Sequence, residues 1–391
     1  MSNKAYTPSV VFSSFLPILL IVILSFIDSS KASEEKTNPK NLLLTTTVGA
    51  YPKPSYIVMP DWFDNTNDLT PSVAYEKFIE STNENKLHED LDRAIKDVIE
   101  KQIAYGIDIP TDGEIKRENY IYYFCRKLGG INFSVLTKKT ARKNWHGFFP
   151  TITGKITHPK TPIMVNDYQY AQNVSTHPIK VTIPGPMTII DSLANNFYDN
   201  DRELGEDIAK AINAEIRALA ASGCKWIQID DPVLARKPEK ALDYGIDLLE
   251  KCFEDIPKDV ISIVHLCCGY PSCIDEKDFP KAEQDSYLKI VKKLDNSKIK
   301  AFSIEDTHRR NSSELFREFK NSIVILGVID IGKSRIETVD EIKDHINYVL
   351  QYIPAERLMI APDCGLGLLS NEMVDAKLKN MNEAVLEIRS G

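Results

Sequence analysis

The stretch VISIVHLC, residues 260–267, places a run of apolar and β-branched residues directly before a histidine and a cysteine. A short apolar run of this kind is typical of a strand that is buried on both faces, as in a parallel sheet. Because alternate residues of a strand point the same way, His265 and Cys267 share one face and Cys268 lies on the other. Taken locally, the two residues are either metal ligands or ordinary core residues.

Similar runs recur along the chain and alternate with longer segments of helical periodicity. Eight such runs are present, at residues 42–51, 107–114, 179–186, 225–232, 260–267, 300–307, 322–330 and 357–365. Amphipathic segments lie between or after them, among them residues 91–105, 203–222, 240–252, 338–352 and 371–389. Eight strand and helix repeats predict an α/β fold, the closed (β/α)8 TIM barrel.

One interval, between the second and third runs, breaks this spacing with about 60 residues. It contains the aromatic-rich segments ENYIYYFCRKLGG (118–130) and NWHGFFPTITGKI (144–156). Long insertions in a barrel usually serve its active site. We therefore expect an insertion here, an extra hairpin or a lid over the mouth of the barrel.

The N-terminal part of the chain has a different character. Residues 9–27 form an uncharged apolar stretch that follows Lys4 and precedes DSSKAS, in which Ser30 and Ala32 are small residues at a spacing suited to cleavage. This pattern predicts a signal peptide or a membrane anchor, with an upstream start codon as the alternative. Residues 1–40 are accordingly assigned to this segment and a linker, and residues 41–391 to one barrel domain.

The overall composition limits the class of partner. With 48 basic and 56 acidic residues and a net charge of -8, the chain has no electrostatic footprint for nucleic acid, and a small molecule is the expected partner. Seven cysteines spread over 391 residues do not resemble a disulfide framework. Reduced thiols or metal ligands are expected instead, which favours a cytoplasmic catalytic domain.

Four residues near predicted strand ends have the donor types that Zn²⁺ prefers: imidazole, thiolate and carboxylate. They are His265, Cys267, Glu305 and Cys364. The carboxyl ends of barrel strands meet at one face, so these side chains could converge on one ion. The alternatives are a histidine with a structural role, core cysteines, and a Glu305 that pairs with Arg309 or Arg310.

The motifs HLC, IEDTHR and PDCGL, in this order, resemble the zinc-ligand motifs of the cobalamin-independent methionine synthase family, in its catalytic C-terminal barrel. The resemblance covers roughly residues 42–390 and includes TTTVGAYPKP, DGEIKRENY, IPGPMTI, QIDDPVL and LGVIDIGKSRI. It implies that the four residues named above bind zinc. It also implies transfer of a methyl group to the thiol of homocysteine, which forms methionine. Two thiolates and one carboxylate would leave such a site with a net negative charge, which keeps a bound sulfur nucleophilic.

The same resemblance assigns the amino-acid pocket. Glu114 and Asp230 match positions that hold the amino group of homocysteine, and Val48, Gly49 and Ala50 match the segment that contacts its carboxylate. A serine is usual in the family where Ala50 stands. The alternatives are a salt bridge of Glu114 with Lys116 or Arg117, and a capping role for Asp230.

The methyl donor is less clearly indicated. Asp330 matches the family and is expected to orient a partner near the site, but Gly332 replaces a histidine regarded as a proton donor, and Ser192 replaces a tryptophan that packs on the pterin. Because the amine of a folate leaves poorly unless it is protonated, these changes favour a methylcorrinoid or a corrinoid protein over methyltetrahydrofolate. His308 is either a substitute acid or, as expected here, a surface residue.

Two other functions remain open from the sequence. One keeps the zinc and thiolate chemistry but alkylates coenzyme M or another small thiol. The other, suggested by residues 9–27, is a membrane-tethered, non-catalytic zinc- or thiol-binding protein. Recognition of an ammonium group by Glu114 and Asp230 favours homocysteine over both.

Overall fold

The computed structural model describes residues 42–61, 71–141 and 145–391. The predicted signal or anchor segment, residues 1–40, lies outside the described residues. Among the helices that are described, none has both the length and the apolar composition needed to cross a membrane.

Regular secondary structure follows the predicted alternation of strands and helices. The described strands are β1 (Gly129–Ala141), β2 (Trp145–Thr157), β3 (Lys180–Pro184), β4 (Ala194–Asn195), β5 (Trp226–Asp230), β6 (Ile261–Leu266), β7 (Ala301–Ile304), β8 (Ile323–Gly327) and β9 (Leu358–Ala361).

The helices were predicted from periodicity, and the five amphipathic segments are confirmed as helical. The described helices are α1 (Pro71–Ser81), α2 (Glu84–Ala104), α3 (Tyr120–Cys125), α4 (Val165–Val174), α5 (Pro186–Ser192), α6 (Asp201–Ala221), α7 (Val233–Arg236), α8 (Pro238–Lys240), α9 (Ile246–Cys252), α10 (Ser286–Asp295), α11 (Ser313–Glu318), α12 (Val339–Leu350) and α13 (Asn371–Ser390), with a π-helical turn at Ala241–Gly245 and a 3₁₀ turn at Ala355–Arg357.

The main sheet has six parallel strands in the order β3-β5-β6-β7-β8-β9. Every residue of β5, β6, β7 and β9 is buried, as expected for strands that are covered on both faces. The register places Asp230 opposite His265, and His265 opposite Ser303. The chain is therefore an α/β protein with a parallel sheet, and its strand register already brings predicted site residues together.

The first two predicted strands, 42–51 and 107–114, are present as isolated parallel bridges and not as regular strands. Thr45 bridges Ile360, Thr46 bridges Ile109, and Thr111 bridges Lys180. Regular ladders are interrupted because Pro110 has no N–H to donate, and because the Thr45 amide donates to the Asp108 carboxylate at 2.8 Å. These bridges connect both runs to the outer strands β3 and β9.

An antiparallel hairpin lies in the irregular interval between the second and third predicted strands. Its strands β1 and β2 pair from Gly129 with Thr157 to Ala141 with Trp145, and β4 adds to β2 in parallel. The smaller sheet is thus separate from the six-stranded one.

Helix α6 shows how the sequence specifies the surrounding layer. The Asn200 side chain accepts a hydrogen bond from the Glu203 amide at the start of the helix. Residues spaced three or four apart, such as Leu204, Ile208 and Ile212, are fully buried against the core. Each such side chain contributes about 1.5–3 kcal/mol to the free energy of folding as an upper estimate, so packing of this face dominates the helix's stability.

Candidate active site

Three predicted metal ligands lie together at the carboxyl end of the main sheet. His265 is near the end of β6, Cys267 follows that strand, and Cys364 follows β9. The Cys364 sulfur is 3.5 Å from Nε2 of His265 and 3.7 Å from the Cys267 sulfur. One donor atom from each residue lies within 4.8 Å of the others, and all three residues are buried. These three side chains, the sulfur group below, could contact one metal ion.

The His265 ring is oriented by a residue that the sequence analysis missed. Its Nδ1 lies 2.9 Å from the Ser303 hydroxyl, which faces it across the β6 and β7 register. When Nδ1–H donates to that oxygen, the lone pair of Nε2 faces the two sulfurs. Histidines that bind metals are commonly oriented through their other nitrogen in this way.

The two cysteines of the sulfur group are electrostatically different. The Cys364 thiol donates to the Cys267 sulfur, which holds the pKa of Cys267 well below its usual range. The same bond, together with burial, raises the pKa of Cys364 well above its usual range. The two sulfurs are thus joined by one hydrogen bond, at a place where a cation could contact both.

Glu305 borders the sulfur group. Its Oε2 accepts a hydrogen bond from the Cys268 amide at 3.0 Å. Burial, reinforced by the charge of Cys267, raises the pKa of Glu305 well above its usual range. Neither alternative pairing, with Arg309 or with Arg310, is seen among the described residues, and the Arg309 guanidinium donates instead to backbone carbonyls of residues 282–284. Its role as fourth ligand stays a prediction.

His308 is half-buried and paired with other residues, which differs from the surface role expected for it. Its side chain is 10% exposed, with Nδ1 3.0 Å from Asp363 Oδ2 and Nε2 3.4 Å from Glu305 Oε2. Asp363 also accepts the backbone amides of residues 306, 307 and 308. The sequence could not place His308, because its partner follows β9 while His308 itself follows β7.

Glu114, the first predicted ammonium-binding carboxylate, lies in a strained turn, with φ of 55°. Its Oε1 accepts from the Thr182 hydroxyl at 2.7 Å and from the Arg117 guanidinium at 3.2 Å. The salt bridge considered as an alternative is therefore present with Arg117, whereas Lys116 pairs with Asp92 and Asp167. An ion pair on one oxygen does not exclude substrate binding by the other.

Asp230, the second carboxylate, is the last residue of β5 and is 7% exposed. Its Oδ1 accepts a hydrogen bond from Gln228 Nε2 at 2.7 Å. Burial raises the pKa of Asp230 to about 7, and the charge of Glu114 adds to the shift. The capping role considered for Asp230 belongs instead to Asp231, which accepts from the Met187 amide at the start of α5.

The segment 48–50 neighbours Glu114 on one side and the loop that carries Cys364 on the other. A Cβ on Gly49 would come within 2.6 Å of Glu114 Oε1, so a side chain there would displace the carboxylate. The Ala50 carbonyl accepts from the Leu366 amide at 2.7 Å, two residues after Cys364. The Val48 carbonyl faces Gln228. The predicted residues of the amino-acid pocket are thus neighbours.

Asp330, the predicted catalytic residue, is oriented toward its own loop. Its Oδ1 accepts from the Gly332 amide at 2.9 Å, and its side chain lines a cavity of about 170 Å³ together with Lys333 and His345. No contact in the described part of the chain connects the Asp330 carboxylate with the sulfur group. Its catalytic role stays a prediction.

Two tyrosines near the site were not singled out from the sequence. Burial raises the pKa of Tyr120 well above its usual range, and the charges of Asp230 and Cys267 add to the shift. The Tyr270 hydroxyl donates to the Gly365 carbonyl at 2.8 Å. The aromatic-rich segment 118–130 was the available signal for Tyr120, but periodicity could not select one ring among several.

Comparison with known proteins decides the family. Residues 43–246 and 283–386 match the catalytic domain of the cobalamin-independent synthases. This chain belongs to the cobalamin-independent methionine synthase family. It is 30% identical over 349 residues to a methionine synthase of Sulfolobus acidocaldarius, covering 89% of this chain and 93% of the relative. A methionine synthase of Saccharolobus islandicus is 31% identical over 350 residues, covering 89% and 95%.

Comparison with solved structures gives a consistent fold. The B12-independent methionine synthase from Shewanella sp. W3-18-1, in complex with selenomethionine, superposes with a TM-score of 0.78 at 28% identity, and the match covers 89% of this chain and 98% of that one. A putative vitamin-B12 independent methionine synthase from Listeria monocytogenes has a TM-score of 0.67 at 21% identity, covering 88% and 98%. At that identity the second match supports the fold alone.

Proposed function

We propose that this chain transfers a methyl group to the sulfur of homocysteine and so forms methionine. Its family membership makes it an S-methyltransferase. The observation that carries the proposal is the pairing of Asp230 with His265 in neighbouring strands. The Asp230 carboxylate, which we propose binds the substrate ammonium group, is therefore beside the sulfur group. A new bond between the methyl carbon and sulfur forms as the bond to the donor breaks; the donor keeps that bond's electron pair, and the thiol proton passes to solvent.

We also propose that residues 41–391 form one closed (β/α)8 barrel. The three isolated bridges support this arrangement, because residues 45–46 and 109–111 connect the two outer strands of the six-stranded sheet. The hairpin of β1 and β2 is then the insertion between the second and third barrel strands. A barrel of this kind presents the carboxyl ends of its strands on one face, where Cys267, Glu305 and Cys364 follow theirs.

Zinc is the metal proposed for the sulfur group. Two cysteines and one histidine are donors that zinc favours over magnesium or calcium. Glu305 would complete the set, since a cation beside this buried carboxyl would keep it ionised. When bound, zinc lowers the pKa of a substrate thiol and so supplies a thiolate nucleophile at neutral pH.

The protein's own residues would bind and orient the amino acid. The carboxylates of Glu114 and Asp230 are suited to hold the substrate ammonium, and residues 48–50 would meet its carboxylate through the backbone. Ala50 offers no hydroxyl for that contact. Two carboxylates at this position also disfavour a sulfonate thiol such as coenzyme M, and a protein that only binds zinc has no use for them.

The donor proposed is a methylcorrinoid, free or on a corrinoid protein. Gly332 has no side chain to protonate a folate amine, and Ser192, at the end of α5, has no ring to pack on a pterin. A corrinoid methyl group departs without such protonation. Methyltetrahydrofolate remains the alternative donor.

The test is a direct assay of methionine formation. Zinc-loaded protein is incubated with homocysteine and either methylcobalamin or methyltetrahydrofolate, and coenzyme M is offered as a competing thiol. We expect methionine from methylcobalamin and little methylated coenzyme M. Methionine from folate alone would contradict the proposed donor, and preferential methylation of coenzyme M would contradict the proposed acceptor.

A further inference from the structure

Lys180 is a buried lysine that the proposed mechanism does not use. It begins β3 and is 1% exposed, and its Nζ donates to the Thr47 carbonyl at 2.5 Å and to Gln228 Oε1 at 2.6 Å. Burial lowers the pKa of Lys180 to about 7, while the charges of Asp230 and Glu114 oppose that shift. Burying an ammonium group costs free energy unless its hydrogen bonds are satisfied. The two hydrogen bonds to Thr47 and Gln228 offset part of that cost.

Gln228 connects Lys180 with the amino-acid pocket. It is fully buried in β5, and its Nε2 donates to Asp230 Oδ1 at 2.7 Å and to the Val48 carbonyl at 2.9 Å. A lysine ammonium group can only donate hydrogen bonds. Here Lys180 Nζ donates to the Gln228 oxygen, and the Gln228 amide N–H groups face Asp230 and Val48.

The contacts with Lys180 and with Asp230 favour the same orientation of the Gln228 amide. The opposite amide orientation would direct N–H groups at an ammonium and an oxygen at the Asp230 carboxylate, so it is disfavoured by both contacts. With Asp230 Oδ1 engaged by Gln228, Oδ2 is the oxygen left for a substrate ammonium group. The same amide fixes the Val48 carbonyl, and with it the segment proposed to meet the substrate carboxylate.

We propose that Lys180 and Gln228 are positioning residues that set the preference of this site for thiols and thioethers bearing an α-ammonium group. The inference rests on the proposed function, since it concerns how that site recognises an amino acid. Neither residue contacts the substrate. They act by holding the Asp230 carboxylate and the backbone of residues 48–50 in place.

The experiment compares two ligands that differ only in the amino group, methionine and 4-(methylthio)butanoate. Neither has a thiol or needs a methyl donor, so their binding to the zinc-loaded full chain is measured by titration calorimetry. The variants are Lys180→Met and Gln228→Glu. The matched control is Lys225→Met, because Lys225 directly precedes β5 and pairs with Asp259. Zinc content is measured for every protein.

We expect the wild type and the control to prefer methionine. Both site variants lose about tenfold or more of their methionine affinity, a clearly larger loss than for 4-(methylthio)butanoate, and their zinc content stays unchanged. A merely structural role would weaken both ligands together. Gln228→Glu retains the side-chain volume and an acceptor for Lys180, so it tests the inference even where the Lys180 variant does not fold.

The outcomes separate the inference from the function it rests on. Wild-type protein that binds neither ligand would contradict the proposed function. If the wild type prefers methionine and Gln228→Glu keeps that preference, the positioning role is overturned and the proposed function is not. Equal losses for both ligands in the variants would also overturn it.

Discussion

The acceptor side and the donor side of the candidate active site differ in how their predicted residues assemble. On the acceptor side, His265, Cys267 and Cys364 form a buried group, and Asp230 pairs with His265 across neighbouring strands. On the donor side, Asp330 bonds to its own loop, and Gly332 lacks a side chain. This contrast supports the proposed sulfur acceptor and the proposal that the methyl donor is a corrinoid and not a folate.

The largest expected effect is on the sulfur group. Cys364→Ser should remove most of the bound zinc and reduce methionine formation by more than about a hundredfold, because a hydroxyl is a poor replacement for a thiolate ligand. Metal analysis and a turnover assay measure both effects. Cys273→Ser, which changes an exposed cysteine, is the control. Unchanged zinc stoichiometry in Cys364→Ser would reject the ligand assignment.

A smaller effect is expected in the amino-acid pocket. Asp230→Asn should weaken methionine binding by about tenfold to a hundredfold, because the ammonium group loses a charged partner. The pKa of Asp230 is raised to about 7, so its carboxyl is neutral below that pH and ionised above it. Methionine affinity in the wild type should therefore increase as pH rises through about 7.

Calorimetry across this pH range tests the sign, with Asp230→Asn as the reference. The pH dependence should be absent in the variant. An affinity that falls as pH rises, or a wild-type dependence that persists in Asp230→Asn, would show that another group controls recognition.

The donor side can be tested by restoring the missing acid. A Cβ on Gly332 would lie 3.2 Å from Pro271 Cγ and 3.4 Å from Asp330 Oδ1, a tight fit that small shifts can relieve. Gly332→His should raise the folate-dependent rate by about tenfold, since a positioned general acid assists departure of the amine. Gly332→Ala is the control for backbone effects. A wild type that already uses folate as fast as methylcobalamin would remove the distinction between the two sides.

The smallest expected effect concerns stability. Burial raises the pKa of Asp231 from 3.8 to about 7. The folded state therefore keeps a proton that the unfolded chain releases, so this contribution to stability is present below pH 3.8 and is lost as pH rises through about 7. Urea unfolding measures this effect. Over this pH range the free energy of unfolding of Asp231→Asn should change by about 1 kcal/mol or more less than that of the wild type. An unchanged slope would contradict the assignment.

The parts of this account that the sequence could predict depend on local patterns. Apolar runs and helical periodicity located the six regular strands of the main sheet and helices such as α6. The order of His265, Cys267 and Cys364 indicated the sulfur group, because residues at strand ends converge wherever parallel strands form one sheet. Glu114 and Asp230 were found by resemblance, and the Arg117 partner of Glu114 was foreseen as an alternative.

The rest depends on register and on contacts between distant segments. Ser303 faces His265 only because β6 and β7 pair in one register, and Lys180 reaches Gln228 across the pairing of β3 with β5. Asp363 and His308 meet because the loops after β9 and β7 lie on the same side of the sheet. The runs 42–51 and 107–114 looked like regular strands, but Pro110 and the Asp108 side chain interrupt their backbone pairing.

The central claim is that the sulfur group binds zinc and admits the sulfur of the substrate. X-ray absorption at the zinc edge, recorded on the zinc-loaded protein with and without homocysteine, tests it most directly. We predict two sulfur ligands in the absence of homocysteine and one additional sulfur ligand in its presence. A zinc environment without protein sulfur, or one that homocysteine leaves unchanged, would contradict the account.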